Sequence, residues 1–264
     1  TGDGSPAGWR ESNETPPALP PGCALFLDFD GTLVHLEDHP SLVRADEALH
    51  ALLGTLGVAM AGAVALVSGR TIAELDALLV PARLAIAGQH GAERRSVDGT
   101  MHRHAPLSPH FEEAALALRR LVAAHPQLLL EEKGASLALH YRARPSLGPL
   151  VEQEARRVLR SLGEGFALQA GKFVVEVKPS GKDKGTAIAE FMAEAPFAGR
   201  LPVFVGDDLT DELGFEVVNR LGGHTVKVGT GLTKARWRLR DADAVRRWLA
   251  DGAREGGSGA VPAR

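Results

Sequence analysis

Short apolar segments alternate with helical segments along the chain, and this alternation most restricts the possible fold. Residues 24–27, 63–67 and 202–205 are continuous apolar runs, which are typical of strands buried on both faces of a parallel sheet. Between them, leucine and alanine recur at helical spacing, as in residues 42–56. Strands that alternate with helices predict an α/β fold with a doubly wound parallel sheet.

Polar side chains that can do chemistry follow three of these strands. Asp28 and Asp30 follow the first strand, Ser68 follows the second, and Asp207 and Asp208 follow a later one. On an extended backbone, residues two apart point the same way, so we expect the first two carboxylates to reach one small volume. Because parallel strands share a carboxyl edge, all of these side chains are predicted to converge.

Carboxylates that share a site repel one another, so a cation or an acidic function is needed to stabilise the cluster. Lys184, at the start of a predicted helix, would supply positive charge to a bound phosphate. Taken singly, the aspartate loops also fit turns or helix caps, and Lys184 fits a surface lysine. Their joint occurrence at strand ends and a helix start favours a site for a divalent cation and a phosphate.

A segment with a different pattern interrupts this core. Residues 108–179 predict a helix, two strands, a helix and two strands, with short hairpin loops that suit antiparallel pairing. We interpret this αββαββ segment as an inserted α+β cap domain. The remaining predicted parts are a discontinuous core (23–107 and 180–251), a flexible N-terminal arm (1–22) and a flexible C-terminal tail (252–264).

Charged and apolar residues alternate in the predicted strands of the insert. The charged pairs at two-residue spacing are Glu131 with Lys133, His140 with Arg142, and Glu176 with Lys178. Each pair is therefore expected on one face of the sheet, with apolar residues facing the two helices. An ordinary solvated face has the same pattern, but carboxylates and cations together also suit the hydroxyl groups of a sugar.

Composition excludes several classes of function. The 264-residue chain has a formal net charge of −3 and no basic run, which argues against a partner that is a nucleic acid or an anionic membrane. No segment approaches the ~20 apolar residues of a membrane span. We expect a monomer that binds a small molecule. Cys23 is the only cysteine, which fits a reducing compartment, so we expect a cytoplasmic location, with a removed leader before Thr1 left open.

The motifs together resemble those of the haloacid-dehalogenase-like (HAD) phosphatases. The matching residues are Asp28-Phe29-Asp30-Gly31-Thr32, Ser68, Lys184 and Gly206-Asp207-Asp208. Within that superfamily, the chain resembles the trehalose-6-phosphate phosphatases from about residue 20 to 250, in stretches that include 66–70, 88–93, 131–133, 139–142, 174–179 and 206–212. This resemblance implies a Rossmann-like HAD core with a C2-type cap. It also implies Mg²⁺-dependent hydrolysis of trehalose 6-phosphate, the last step of trehalose biosynthesis.

The resemblance also implies roles for the core residues. Asp28 would be the nucleophile that forms an aspartyl phosphate, and Asp30 would act first as an acid and then as a base. Ser68 and Lys184 would hold the phosphoryl oxygens, assisted by the backbone N–H near Gly69.

A metal site is implied by the same resemblance. Mg²⁺ would be held by the Asp28 carboxylate, the Asp30 backbone carbonyl and Asp207. Asp208 or Asp211 would lie next to these ligands and orient them.

Substrate binding is assigned by the resemblance to residues from both predicted domains. They are Gly69, Arg70, Glu131, Lys133, His140, Arg142, Glu176 and Lys178. Related capped phosphatases for sucrose 6-phosphate or mannosyl-3-phosphoglycerate remain alternatives, because the core motifs do not distinguish among these substrates. A receiver-like signalling domain and a catalytically inactive homologue are disfavoured by the second aspartate, the insert and the complete set of charged catalytic residues.

Overall fold

The computed structural model describes residues 8–11, 13–37, 40–104, 108–134, 136–171 and 173–257. The chain divides into two compact units, one formed by Thr1–His102 with Asp183–Arg264 and the other by Arg103–Lys182. We call them the core unit and the inserted unit. No helix among the described residues combines the length and the apolar character needed to cross a bilayer.

The described residues form strands and α-helices that we number in chain order. The strands are β1 (Ala24–Leu27), β2 (Val64–Val67), β3 (Ala85–Gly88), β4 (Glu93–Arg95), β5 (Met101–Arg103), β6 (Leu129–Lys133), β7 (Ser136–His140), β8 (Phe166–Gly171), β9 (Val174–Pro179), β10 (Pro202–Gly206), β11 (His224–Val228) and β12 (Trp237–Leu239). The helices are α1 (Glu47–Ala59), α2 (Ile72–Leu79), α3 (Phe111–Ala124), α4 (Gly148–Leu162), α5 (Lys184–Met192), α6 (Glu212–Arg220) and α7 (Ala242–Gly257).

The core unit is built on a sheet with the strand order β12-β11-β10-β1-β2-β3-β4-β5. The pairs from β12 to β3 are parallel, and β4 pairs antiparallel with β3. Because β1 lies between β2 and β10, the direction of strand progression reverses there. In such sheets, ligands bind beside the carboxyl ends of the strands at this reversal. The sequence did not predict β4, β5 or β12.

Local sequence signals explain where the core helices begin. Asp46 caps α1 by accepting a hydrogen bond from Leu49 N at 2.7 Å, and Thr71 forms a capping box with Glu74 at the start of α2. Such caps satisfy N–H groups that have no partner inside the helix. The helices pack in pairs, α1 beside α7 and α5 beside α6. The central strands β1, β2 and β10 are buried throughout.

The inserted unit has a four-stranded sheet with the order β6-β7-β9-β8. All three neighbouring pairs are antiparallel. One side of the sheet packs with α3 and α4 in an apolar core of its own, which includes Leu137, Leu139, Val175 and Val177. Its element order is the predicted αββαββ.

The described part of the N-terminal segment is fixed to the core unit, which differs from the predicted flexible arm. Arg10 forms a β-bridge with Thr233, and Trp248 Nε1 donates to the carbonyl oxygen of Pro17 at 2.8 Å. Leu19 is only 2% exposed and belongs to the hydrophobic core. The proline-rich composition suggested a loose segment, but partners distant in sequence hold it. Residues 1–7 lie outside the described residues.

The C-terminal helix also departs from the sequence expectation, since α7 continues to Gly257 beyond the predicted start of a flexible tail at residue 252. Ala253 is 3% exposed, and an ideal Cβ on Gly252 would lie 2.4 Å from Leu19 Cβ. The small residues therefore allow α7 and the N-terminal segment to approach closely. Residues 258–264 lie outside the described residues.

We predict that Leu19→Ala destabilises the protein through the cavity it leaves. The expected loss in the free energy of unfolding is about 2–4 kcal/mol, as for other buried leucines, measured from urea denaturation. Leu42→Ala is the control, because Leu42 is 54% exposed and its loss is expected to cost less than ~0.5 kcal/mol. Equal effects of the two substitutions would contradict the packed position of the N-terminal segment.

Candidate active site

The site lies at the carboxyl edge of the core sheet, where β1 and β10 end side by side. Their register pairs Leu27 with Val205, and the backbone N–H of Asp28 donates to the carbonyl oxygen of Val205 at 3.0 Å. Asp28 and Asp207 therefore leave neighbouring strands at nearly the same level.

A buried lysine joins two of the carboxylates. Lys184 Nζ donates to Asp28 Oδ1 at 2.8 Å and to Asp211 Oδ1 at 2.6 Å. Lys184 is 2% exposed, Asp28 4% and Asp211 0%, so these charges are shielded from water and interact strongly. Lys184 is the first residue of α5, whose N-cap Asp183 accepts a hydrogen bond from Thr186 N at 2.8 Å.

Three carboxylates form one group at this edge. One oxygen each from Asp28, Asp207 and Asp211 lies within 4.8 Å of the others. Two glycines make room for the group. An ideal Cβ at Gly31 would lie 2.1 Å from Asp207 Oδ2, and one at Gly206 would lie 2.3 Å from Asp211 Cγ.

Burial and neighbouring carboxylates raise the pKa values of Asp28 and Asp207. Burial raises the pKa of Asp28 well above its usual range, Lys184 opposes this, and Asp211 and Asp207 raise it further. Burial and Asp211 raise the pKa of Asp207 to about 6. Burial lowers the pKa of Lys184, but Asp211 and Asp28 raise it by more, so this lysine stays charged. The cluster therefore favours additional positive charge.

Asp30 does not point into this group, which corrects the expectation drawn from its two-residue spacing. Its carboxylate accepts two hydrogen bonds from Arg70, Nε to Oδ2 at 2.6 Å and Nη2 to Oδ1 at 2.7 Å. The strand ends at Leu27, and beyond it the chain turns through Gly31 with a φ of +78°. The alternation rule holds only on extended backbone, so it does not apply to Asp30.

The loop after β2 places Ser68 and Gly69 beside a tight turn of the same unit. Ser68 is 1% exposed, and its Oγ accepts a hydrogen bond from Arg70 N at 3.1 Å. His90 N donates to the Ser68 carbonyl oxygen at 2.9 Å. An ideal Cβ on Gly69 would lie 2.7 Å from His90 Cε1, so only glycine fits there without movement.

Of the two acidic residues expected beside the ligands, Asp211 enters the group and Asp208 does not. Asp208 is exposed, and its backbone N–H donates to Asp211 Oδ2 at 2.8 Å. Asp211 thus links this backbone to Lys184.

The inserted unit presents the predicted charged residues on one face. The strand register puts Glu131, Ala138, Glu176 and Gln169 in one row across the sheet. By alternation along the strands, the same face carries Lys133, His140 and Lys178. Arg142 is different: it lies in the turn after β7 and is exposed, so strand alternation does not fix its direction.

Contacts within this face hold the carboxylates in place. Glu131 Oε2 lies 3.1 Å from Lys133 Nζ and 3.1 Å from His140 Nε2. Burial raises the pKa of Glu131, but the contacts from His140 and Lys133 lower it by more, so the net shift is downward. Glu176 accepts a hydrogen bond from Ser136 Oγ at 2.7 Å. Glu176 and Lys178 are both buried.

Comparison with known proteins identifies the family. A profile of the family described as trehalose-phosphatase matches residues 26–243. The chain is 48% identical over 234 residues to trehalose-6-phosphate phosphatase of Escherichia coli K12, covering 88% of this chain and 87% of that protein. The chain belongs to the trehalose-phosphatase family.

Solved structures agree with this assignment. The crystal structure of a trehalose-6-phosphate phosphatase related protein has a TM-score of 0.72 and 27% identity, and the match covers 89% of this chain and 98% of that chain. A haloacid dehalogenase-like hydrolase from Bacteroides thetaiotaomicron has a TM-score of 0.62 and 15% identity, with coverage of 86% and 98%, which bears on the fold alone. The predicted HAD-like α/β fold is confirmed.

The acidic group of this family member fits a hard divalent cation. Its donors are all carboxylate oxygens, the ligand type that Mg²⁺ prefers. Lys184 bonds to two of the three carboxylates and leaves net negative charge for a cation to balance.

Two residues that contact the site had no predicted role. Thr32 Oγ1 donates to Asp28 Oδ2 at 3.3 Å and to Asp207 Oδ1 at 3.5 Å. Its position could have indicated this contact, because Thr32 follows Asp28 and Asp30 in the same turn of the chain. Lys227 Nζ donates to the carbonyl oxygen of Asp207. It lies within an ordinary strand segment, so the sequence offered no signal for this contact.

We predict that Gly31→Ala lowers the Mg²⁺-dependent hydrolysis of p-nitrophenyl phosphate by about 10- to 100-fold, the range seen when groups around metal ligands are disturbed. The added Cβ would displace the Asp207 carboxylate. Gly199→Ala is the control, since Gly199 has a similar φ of +76° with nothing within 4 Å of an ideal Cβ. Both variants carry the left-handed backbone strain. Matching rates for the two would argue against the tight approach of Gly31 to Asp207.

Proposed function

We propose that the protein hydrolyses trehalose 6-phosphate to trehalose and inorganic phosphate through an aspartyl-phosphate intermediate. The single observation that carries this proposal is the buried group of Asp28, Lys184, Asp207 and Asp211 in a chain of this family. It combines a nucleophile, a fixed positive charge and ligands for a cation.

Asp28 is the proposed nucleophile. Its carboxylate attacks phosphorus, the bond from phosphorus to the sugar oxygen breaks, and the phosphoryl group remains on Asp28. Lys184 and Thr32 orient this carboxylate through the contacts given above. The charge of Lys184 also offsets the negative charge of the transferring phosphoryl oxygens, as is general in phosphoryl transfer. Ser68 and the backbone N–H of Gly69 are proposed to hold the same oxygens.

Asp30 is the proposed acid and base. It gives a proton to the leaving sugar oxygen, and afterwards takes a proton from the water that attacks the aspartyl phosphate. That second attack breaks the bond between Asp28 and phosphorus and releases phosphate. Arg70 engages both oxygens of the Asp30 carboxylate, so in this proposal Asp30 leaves Arg70 before it exchanges a proton with the substrate. The substrate phosphate carries more negative charge than a carboxylate, so it is suited to replace Asp30 as the hydrogen-bond partner of the Arg70 guanidinium.

We propose Mg²⁺ as the cofactor, held by the carboxylates of Asp28 and Asp207 and the backbone carbonyl of Asp30. When bound, the ion supplies positive charge to the phosphoryl oxygens. Asp211 bonds to Lys184 and to the backbone N–H of Asp208, and thereby keeps the lysine and the loop in position beside the ligands.

We propose that residues 108–179 act as a cap that selects the sugar. Its charged face offers carboxylates and ammonium groups that can each bind neighbouring hydroxyls by charge-assisted hydrogen bonds. The residues assigned to this role are Glu131, Lys133, His140, Arg142, Glu176 and Lys178. Lys133 and His140 fix Glu131 before any ligand arrives, which lowers the entropy lost on binding.

The remaining expectations about partners and location stay proposals that rest on the sequence. We propose a monomer with a small-molecule substrate. The net charge of −3 supports the further proposal that no nucleic acid is a partner. A cytoplasmic location is proposed from the single cysteine, Cys23, which is free and buried.

A phosphate-release panel tests the proposed substrate. We expect the highest kcat/KM for trehalose 6-phosphate among trehalose 6-phosphate, sucrose 6-phosphate, glucose 6-phosphate and mannosyl-3-phosphoglycerate. Chelation should abolish turnover, and added Mg²⁺ should restore it. Asp28→Asn is the control for contaminating phosphatases and should reduce kcat by roughly 10⁴-fold or more. Faster hydrolysis of sucrose 6-phosphate would overturn the substrate, and full activity in Asp28→Asn would overturn the nucleophile.

A second prediction tests the charged face of the inserted unit. We expect Glu176→Gln to raise KM for trehalose 6-phosphate about tenfold, the loss of one hydrogen bond to a charged group, with little change in kcat. Glu132→Gln is the matched control, because Glu132 lies on the opposite face by alternation and pairs with Arg119 at 2.7 Å. Its KM should be unchanged. A similar rise for p-nitrophenyl phosphate, which has no sugar, would count against sugar recognition by Glu176.

A further inference from the structure

Lys227 is a buried lysine beside the acidic group, and the proposed chemistry gives this lysine no role. It lies on β11, where the parallel register pairs it with Gly206, the residue before Asp207. It is 6% exposed, and lysine is rarely buried without a specific partner. Its ammonium group donates a hydrogen bond to the carbonyl oxygen of Asp207.

The strand pairing of β10 ends at Gly206, so Asp207 lies just beyond the part of the backbone that the sheet fixes. Gly206 precedes Asp207 and has no side chain to restrict its dihedral angles. The Asp207 carboxylate accepts a long hydrogen bond from Thr32 Oγ1, at 3.5 Å. The peptide that joins Asp207 to Asp208 is held from two sides, since Lys227 bonds its carbonyl oxygen and Asp211 accepts from its N–H at 2.8 Å.

A buried carboxylate, Glu212, lies close enough to Lys227 for their opposite charges to interact. Glu212, 3% exposed, accepts hydrogen bonds from Thr233 Oγ1 at 2.8 Å and from Lys234 N at 2.7 Å. Burial raises the pKa of Glu212, while these bonds and the nearby charge of Lys227 oppose the rise. Glu212 thus adds a negative charge near Lys227 that does not belong to the metal group.

We propose that Lys227 is a positioning residue that fixes the Asp207–Asp208 peptide and thereby aims the Asp207 carboxylate at Mg²⁺. This inference rests on the proposed role of Asp207 as a metal ligand. Groups that orient metal ligands commonly change metal affinity by 10- to 100-fold when they are removed.

The sign of the change in Mg²⁺ affinity separates this proposal from a purely electrostatic role. A positive charge near a divalent cation repels it, so removing that charge alone would tighten Mg²⁺ binding. Removing a group that orients a ligand weakens binding instead. Lys227→Met removes the charge and the donor while keeping the length of the side chain. Lys227→Gln removes the charge but keeps an N–H donor, so partial rescue is expected.

The experiment measures Mg²⁺ binding to the full chain by isothermal titration calorimetry, with Mg²⁺ alone as the probe. We expect the dissociation constant for Mg²⁺ to rise about tenfold or more in Lys227→Met and by a smaller factor in Lys227→Gln. The control Lys234→Met should bind Mg²⁺ as the parent protein does. Lys234 pairs with Glu216 at 2.7 Å and is partly exposed. In turnover assays, the Mg²⁺ concentration for half-maximal activity should rise by the same factor, while KM for substrate at saturating Mg²⁺ stays near the parent value.

Unchanged or tighter Mg²⁺ binding in a folded Lys227→Met protein would overturn the proposal. If that variant does not fold, Lys227→Gln carries the same test, with circular dichroism as the check on folding. The calorimetric result does not depend on the substrate, so failure of trehalose 6-phosphate as substrate is distinguishable from failure of this inference. Parent protein that binds no Mg²⁺ would overturn both the inference and the proposed cofactor.

Discussion

The ion-pair bridge of Asp28, Lys184 and Asp211 is the interaction on which the site depends. Asp28 and Lys184 are 156 positions apart in sequence, and each group comes from a different element, so only the folded sheet and α5 bring them together. Their burial makes the bridge an all-or-none feature, since removing one partner of a buried pair leaves a charge that costs about 3–5 kcal/mol. The same low exposure would strengthen the field that Lys184 exerts on a phosphoryl group in the proposed reaction.

The common edge of the parallel strands explains why the approach of Asp28 to Asp207 was predictable from sequence. Asp28 and Asp207 follow buried apolar strands, and parallel strands end at a common edge, so convergence follows once the strands are recognised. Asp30 shows the limit of this reasoning, because its direction depends on where the extended backbone stops, and its carboxylate pairs with Arg70, 40 positions away in sequence. Lys227 was missed for the opposite reason: it lies inside a strand, where alternation predicts its side of the sheet but not its hydrogen-bond partner.

The short outer strands of the core sheet show which elements local sequence patterns do not predict. The strands β4 (Glu93–Arg95), next to the edge strand β5, and β12 (Trp237–Leu239), at the other edge, have three residues each. All three side chains of β4 are charged, and β12 mixes charged with apolar side chains. Their extended form comes from pairing with β3 and β11, which the composition of such short segments does not indicate. The bridge between Arg10 and Thr233 has the same character: composition suggested a loose arm, and a partner more than 200 residues away holds it. Long apolar runs predict central strands, while edge strands depend on their neighbours.

The two units carry different kinds of constraint. In the core unit, the charged residues of the bridge come from different elements and pair with one another. A substitution at Asp28, Lys184 or Asp211 therefore alters the charge balance of the whole group. In the inserted unit, the contacts of Glu131 with Lys133 and His140 connect only two neighbouring strands. A change of side chain there alters hydrogen bonding on one face without disturbing the apolar core on the other. Under the proposed function, specificity for a sugar can therefore vary in this unit while the charge balance needed for phosphoryl transfer is kept.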